Sequence, residues 1–161
     1  MIKLNRTTEY GLMALRHMNQ KSKDGSEFTS AREVADAFGL PFEITAKTLQ
    51  RMKETGLIQS AQGARGGYIL QRKLEEITLA EFLDMMEGPQ GVVACSSHAP
   101  VEAVAAQDNA CGCAYHGKCE IRGFMSNLNT KVRSFLTGIR LTDLSDSDFR
   151  SNFNSKDALE P

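Results

Sequence analysis

No apolar run in this 161-residue chain approaches the length of a membrane span, and its opening, MIKLNRTTEY, holds none long enough for a signal peptide. A cytoplasmic location, with no membrane partner, is therefore expected. Cysteine is confined to one short segment: all four, Cys95, Cys111, Cys113 and Cys119, fall within CSSHAPVEAVAAQDNACGCAYHGKC. In a reducing compartment, thiols clustered this way point to metal or redox chemistry more than to structural disulfides. No histidine-bearing motif completes a nucleophile arrangement, which argues against a thiol enzyme, and no other enzyme motif stands out. Nor is there a dinucleotide fingerprint. The run Gly63, Ala64, Arg65, Gly66, Gly67 opens no helix and sits in no βαβ unit.

Charged residues make up 24% and apolar ones 41%, ordinary proportions for a folded chain of one domain, or of a small domain with an appendage. Charge is unevenly spread. Residues 1–75 carry 12 basic side chains against 8 acidic, and residues 76–161 carry 7 against 12. A mildly basic first half fits a polyanion partner, although many basic faces are merely solvated.

The periodicity predicts a mainly helical protein. Thr7 to about Gln20 reads as a helix with Tyr10, Met13, Ala14, His17 and Met18 on its apolar face. Ser30 and Glu33 form a capping box ahead of Val34, Ala35 and Phe38, and Gly39 closes that short helix. Pro41 precedes a third helix, Phe42 to Thr55, expected to turn Ile44, Leu49 and Met52 inward. Its outward side chains are expected to be Thr45, Lys47, Thr48, Gln50, Arg51 and Lys53. Two short helices joined by a tight Gly-containing turn form a helix-turn-helix pattern. Leu57–Ser60 and Tyr68–Leu70 are strand signals around the Gly-rich tip, hence a wing. Ile77 to Met86 reads as a fourth helix capped by Thr78 and packing through Leu79, Phe82, Leu83 and Met86. From Cys119 to about Gly138 a long stripe (Ile121, Phe124, Met125, Leu128, Val132, Phe135, Leu136, Ile139) marks an amphipathic helix. Such a stripe has little left to pack on in so small a chain, and a second subunit is an expected partner.

The cysteine segment is too poor in large apolar residues to be core. Thiolates are soft ligands suited to iron–sulfur clusters, zinc or copper(I), and Gly112 and Gly117 let the backbone bend between them. A structural zinc site is one alternative, although Cys-x-Cys-x5-Cys lacks the paired Cys-x2-Cys spacing of common zinc sites. A metal-free thiol/disulfide switch is another.

EYGLMAL (9–15), TSAREVADAFGLP (29–41), GLIQSAQGARGGYIL (56–70), ITLAEFLDMMEG (77–88) and the pair Cys113 and Cys119 run in an order that resembles the Rrf2-type winged-helix regulators. The likeness covers roughly residues 1–142. It implies a winged helix-turn-helix DNA-binding domain (1–88), a cysteine cluster-binding loop (89–119), a dimerisation helix (120–142) and a flexible acidic tail (143–161). It further implies a homodimeric transcriptional regulator, a repressor, reading palindromic double-stranded DNA under control of an iron–sulfur cluster (2Fe–2S or 4Fe–4S).

By the family's pattern Cys95, Cys113 and Cys119 match the three cluster cysteines. The gap after Cys95 is longer than the pattern, and Cys111 is an extra thiol. A histidine that serves as fourth ligand in one branch is replaced by Arg122. In another branch an acidic residue before the first-helix Tyr-Gly, supplied by the partner subunit, takes that role; here it is Glu9. Cys111, Glu9, His98 and His116 are thus rival fourth ligands. The third helix would enter the major groove, with Thr45, Lys47, Thr48 and Arg51 as candidate DNA contacts. Ser30 would meet a phosphate at a helix start, and Gln62 and Arg65 would reach DNA from the wing.

Overall fold

The computed structural model describes residues 4–25, 28–61, 66–89, 91 and 118–144. Helix α1 (Arg6–Lys23) starts at Asn5, whose side chain accepts from the Thr8 amide. Helix α2 (Ala31–Phe38) starts at Ser30, whose Oγ accepts from the Glu33 amide, and stops at Gly39 in the left-handed conformation (φ 64°). Helix α3 (Phe42–Glu54) follows at once, with Glu43 in its first turn and Arg51 and Lys53 in its last, each sign suited to the helix dipole. The Arg32 guanidinium lies 4.4 Å from the centroid of Phe42, tying the start of α3 to α2.

Strands β1 (Ile58–Ala61) and β2 (Gly67–Leu70) pair antiparallel, Ile58 opposite Leu70 and Ala61 opposite Gly67. Thr29 and Tyr68 exchange backbone hydrogen bonds of 3.0 and 2.8 Å, which joins the approach to α2 to the edge of the hairpin. A 3-10 turn (Leu74–Glu76) leads to α4 (Leu79–Glu87), capped by the Thr78 hydroxyl. Helix α5 (Arg122–Gly138) and a second 3-10 turn (Leu141–Leu144) close the described chain.

The core gathers Leu15 and Met18 of α1, Val34 of α2, Leu49 and Met52 of α3, Leu57 and Ile58, and Phe82 and Met86 of α4. The three longer helices of the head converge at Gly11. A Cβ added there would lie 3.0 Å from Phe82 Cζ, 3.4 Å from Met86 Cε and 3.6 Å from Met52 Sδ. A salt-bridged set on the outside braces α1 against α2: Glu33 Oε1 takes Lys21 Nζ at 2.7 Å and lies 2.9 Å from His17 Nε2. Desolvation pushes the Glu33 carboxyl up, but these two hydrogen bonds and the Lys21 charge together hold it below the usual range.

Several faces differ from the periodicity. On α1 the fully buried residues are Thr8, Gly11, Ala14, Leu15 and Met18, while Met13 is 38% exposed and Tyr10 and His17 only half-buried. Phe38 is exposed at the end of α2. On α3, Ile44 faces outward, 42% exposed, while Thr45 and Thr48 are buried. Helix α5 begins three residues later than expected and has no fully buried residue, Ile121, Phe124 and Phe135 being exposed.

Gly67 occupies a position where a side chain has no room, since an added Cβ would stand 2.9 Å from the Thr29 carbonyl oxygen, a backbone atom. Gly67→Ala is expected to cost about 1–3 kcal/mol by forcing the Thr29–Tyr68 bridge apart. Urea denaturation of the two proteins checks this. An unchanged midpoint would show that the bridge contributes nothing.

Candidate nucleic-acid interface

The buried face of α3 sets which side chains it can offer a partner. Thr45, Thr48, Leu49 and Met52 point into the protein, and all four are at most 1% exposed. The two threonine hydroxyls are satisfied within the helix: Thr45 Oγ donates to the Pro41 carbonyl at 3.0 Å and Thr48 Oγ to Ile44 at 2.8 Å. This corrects the expectation that Thr45 and Thr48 face DNA. A β-branched side chain whose hydroxyl bonds the preceding turn packs as valine does, and its polarity does not force it outward.

Lys47 and Arg51 are exposed, as expected, and stand one turn apart. The centre of the outward face, opposite the buried stripe, is Glu43, Lys47, Gln50 and Glu54, at successive spacings of four, three and four. Neither Glu43 nor Gln50 was among the expected contacts. A helical wheel centred on the buried Thr45–Leu49–Met52 stripe finds both, but only once the threonines are placed inside.

Ser30 is half-buried at the N-cap of α2 beside an open cleft of about 450 Å³. That cleft separates the start of α2 from the wing strands, with Ala31, Ser60, Ala61, Gly66, Gly67 and Tyr68 as its other walls. The first amides of a helix are anion-binding groups, and here they open toward the same side as the wing. Gln62 and Arg65, which the sequence puts between β1 and β2, lie outside the described residues, as do Cys95, Cys111, Cys113, His98 and His116.

Cys119 is the one described cysteine. It is half-buried, two residues before the N-cap of α5, and its carbonyl accepts from the Arg122 amide at 3.3 Å. Glu9, in the first turn of α1, is ion-paired with Arg6 at 2.9 Å, both partners being partly exposed. Among the described residues no three His, Cys, Asp or Glu side chains converge as a metal site. The end of α4 from which the cysteine segment departs is fastened to the start of α1. Glu87 Oε1 accepts from the Asn5 amide at 3.1 Å and from the Thr8 hydroxyl. Helix α5, which the segment enters, is fastened to α4 further along, by the two-pronged Arg133–Asp84 pair. Its far end adds backbone bonds from Leu79 to Ile139 (2.8 Å) and from Leu141 to Ile77 (3.0 Å).

Residues 4–147 match the family model described as Rrf2, iron-dependent transcriptional regulator. The chain belongs to the Rrf2 family of transcriptional regulators. Rrf2 proteins are regulators and not enzymes, and the winged helix implies DNA binding. The chain is 26% identical over 141 residues to the HTH-type transcriptional repressor NsrR of Streptomyces coelicolor, covering 86% of this chain and 87% of that protein. It is 20% identical over 143 residues to the regulator IscR of Photorhabdus laumondii, covering 89% of this chain and 79% of that one. Among solved structures, CymR, the global cysteine regulator of B. subtilis, superimposes with a TM-score of 0.64 at 24% identity, covering 91% of this chain and 98% of that one. IscR of T. potens does so at 0.59 and 18%, covering 99% and 94%. These superpositions establish the fold.

The burial register of α3 makes opposite claims for neighbouring residues. Lys47→Ala is expected to weaken DNA binding on all sequences and to lower the salt slope by about one. Thr48→Val is expected to leave affinity within about twofold. Fluorescence anisotropy across a salt series measures both, and a larger loss from Thr48→Val would restore Thr48 to the interface.

Proposed function

We propose that this Rrf2 protein is a homodimeric repressor whose grip on a palindromic operator is set by an iron–sulfur cluster. The observation that carries the reading is the donor set. Four thiols fall in one segment that leaves α4 and enters α5, with Cys119 half-buried at the mouth of α5. Cys95, Cys113 and Cys119 would hold the cluster, with Cys111 or Glu9 completing it. That set fits: thiolates suit iron–sulfur chemistry, and the Arg6–Glu9 pair is a partly exposed contact that a ligand role would displace at little cost. When bound, the cluster supplies a centre that oxidation, nitrosylation or iron shortage can alter. The family description, iron-dependent, supports the same reading.

The chain's own part is to connect that segment to the reading head. Lys47 and Arg51 on α3, the amides behind Ser30, and Gln62 and Arg65 on the wing are the proposed DNA contacts. Helix α5 and its N-cap leave Phe124 67% and Ile121 57% exposed, an apolar end suited to the same helix of a second copy. The two heads of a two-fold dimer then read half-sites about ten base pairs apart or a multiple of it.

A metal-free thiol switch is the competing reading. The chain is 27% identical over 88 residues to the B. subtilis regulator CymR, and the staphylococcal CymR has been solved in an oxidized form.

Protein purified without oxygen is expected to be brown, with iron and sulfide in comparable amounts, and its cluster-loaded and apo forms to differ about 5–150-fold in operator affinity at fixed salt. Cys113→Ser should lose both the colour and the difference. A colourless, zinc-bearing protein would replace the cluster by a structural zinc. A colourless, metal-free one whose mass rises on reduction would replace it by the thiol switch.

Phe124→Asp is expected to shift the protein from dimer to monomer in sedimentation and to weaken palindrome binding at least tenfold. A stable dimer in that variant would move the interface away from this end of α5.

A further inference from the structure

A second cleft lies where the end of α1, the exit of β2 and the 3-10 turn beyond α5 meet. Its volume is about 390 Å³, within the range of small-molecule sites. It shares no residue with α3 or with the cleft beside Ser30. Lys23 of α1 and Arg72 and Lys73 beyond β2 line it, against one carboxylate, Glu75. Two leucines add apolar surface, Leu74 being 4% exposed and Leu70 half-buried. A smaller recess of about 100 Å³ shares Ser22 and Leu70 with this cleft and runs on to the buried Met18.

The three cations differ in how freely they can meet a ligand. Arg72 is engaged with Glu81 at 2.6 Å. The Lys73–Glu75 contact is 3.6 Å long, with side chains 74% and 65% exposed, so an anion displaces it at little cost. Lys23 has no ion pair among the described residues. Two ammonium groups thus line one cleft with donors to spare, and an ammonium only donates. Thr142 adds a hydroxyl from the turn beyond α5. That set matches an anionic head, and the leucines and the recess match a short aliphatic body.

We propose that this cleft binds a small metabolite joining a carboxylate or phosphate group to a short aliphatic body, and that the ligand is a second input to operator binding. Lys23 and Lys73 hold the anionic group, and Leu70 and Leu74 take the body. The inference goes beyond the cluster and needs no thiol, but its regulatory half rests on the chain binding an operator. The walls of the cleft supply the coupling. Helix α1 packs on α3 through Gly11 and Met52, and the turn carrying Thr142 follows α5 and is bonded to the head from Leu141 to Ile77 at 3.0 Å. A ligand spanning Lys23 and Thr142 ties the end of α1 to the chain beyond α5. It therefore favours whichever setting of α5 against the head fits it better. The competing account gives Lys23 only a helix-dipole role in the last turn of α1 and leaves Lys73 as a solvated side chain. That account predicts no ligand binding here.

The test is calorimetric titration of the full-length protein, anaerobically prepared, with inorganic phosphate, butyrate and butyl phosphate at an ionic strength fixed with chloride. At least one probe is expected to bind once per chain with a Kd below about 1 mM. Butyl phosphate should bind more tightly than inorganic phosphate, because its chain adds apolar contact. Lys23→Ala combined with Lys73→Ala should weaken binding about tenfold or more. Ser22→Trp, which fills the mouth, should abolish it. All three side chains are exposed, so both variants are expected to keep the wild-type urea midpoint. In wild type the bound probe should change operator affinity at least about fivefold, and saturating operator should change probe affinity by the same factor. In the variants that change should vanish, each compared with its own ligand-free value. If no probe binds below about 1 mM, or if the double variant binds as well as wild type, the cleft is not an anion site and the dipole account stands. If inorganic phosphate binds as tightly as butyl phosphate, the aliphatic half of the ligand is refuted. Binding at the cleft without a change in operator affinity refutes the second input and leaves the cluster reading intact. If no operator is bound in any state, the regulator reading falls, while calorimetry still decides the cleft.

Discussion

Gly11 lets α1 come within van der Waals reach of the ring of Phe82, the methyl of Met86 and the sulfur of Met52, three side chains from two other helices. Any larger residue at this point would move α1 outward or displace the ring. With α1 held so close, the only face of α3 that fits beneath it is the one bearing Leu49 and Met52, flanked by the compact threonines Thr45 and Thr48. Burial of this face, dry and interlocked, fixes the rotation of α3 about its own axis. That rotation, in turn, determines which side chains α3 presents to a partner. The outward face is thus specified from inside the protein. Lys47, Gln50 and Glu43 are outward because Leu49 and Met52 cannot be.

Much of this was legible in the chain, and the reason is local. Ser30 with Glu33, Thr78 with Glu81, Gly39 and Pro41 mark helix ends by hydrogen-bond and backbone chemistry that needs no tertiary context. The wing was legible because glycines flank strand-like residues, and Gly67 has a further reason in the Thr29 carbonyl pressed against it. The rotation of α3 was not legible. Ile44 is the most apolar residue of its first turn, so counting hydrophobicity turns it inward, yet it is 42% exposed. Thr45 and Thr48 look polar, yet their hydroxyls are already bonded to the preceding turn. Periodicity weighs side chains one at a time, whereas the choice of face is made by the shape of α1 and α4. The same limit explains why Leu15 is buried on α1 and Met13 is not.

The thiol segment could be recognised from composition alone, since four cysteines in so short a stretch need no fold to be noticed. What the structure contributes is the anchorage of its two ends. The segment departs from α4, whose last turn holds the start of α1 through Glu87, Asn5 and Thr8. It returns into α5, which is bound to α4 by Arg133 and Asp84 and by the backbone at Ile139 and Leu141. Helix α4 is therefore the element the segment leaves and is also bonded to the helix it enters.

In the proposed sensor this arrangement decides how a change among the thiols is felt. Tension at either end of the segment acts on α4, and α4 touches α1 at Gly11, the same point where α1 meets Met52 of α3. A shift there does not need to unfold or reorder α3. It needs only to tilt α1 against a tightly packed ring, and α3 must follow because its buried face has no slack. The consequence for DNA would be geometric: each head keeps its own contacts, and what changes is the separation and angle of the two heads across the dimer. Such a device affects binding to paired half-sites far more than binding to a single one. It also requires α5 to be rigidly joined to the head. The Arg133–Asp84 fork, supported by the backbone bonds beyond Gly138, provides that joint, whereas a single hinge of backbone would let α5 move without carrying the head along.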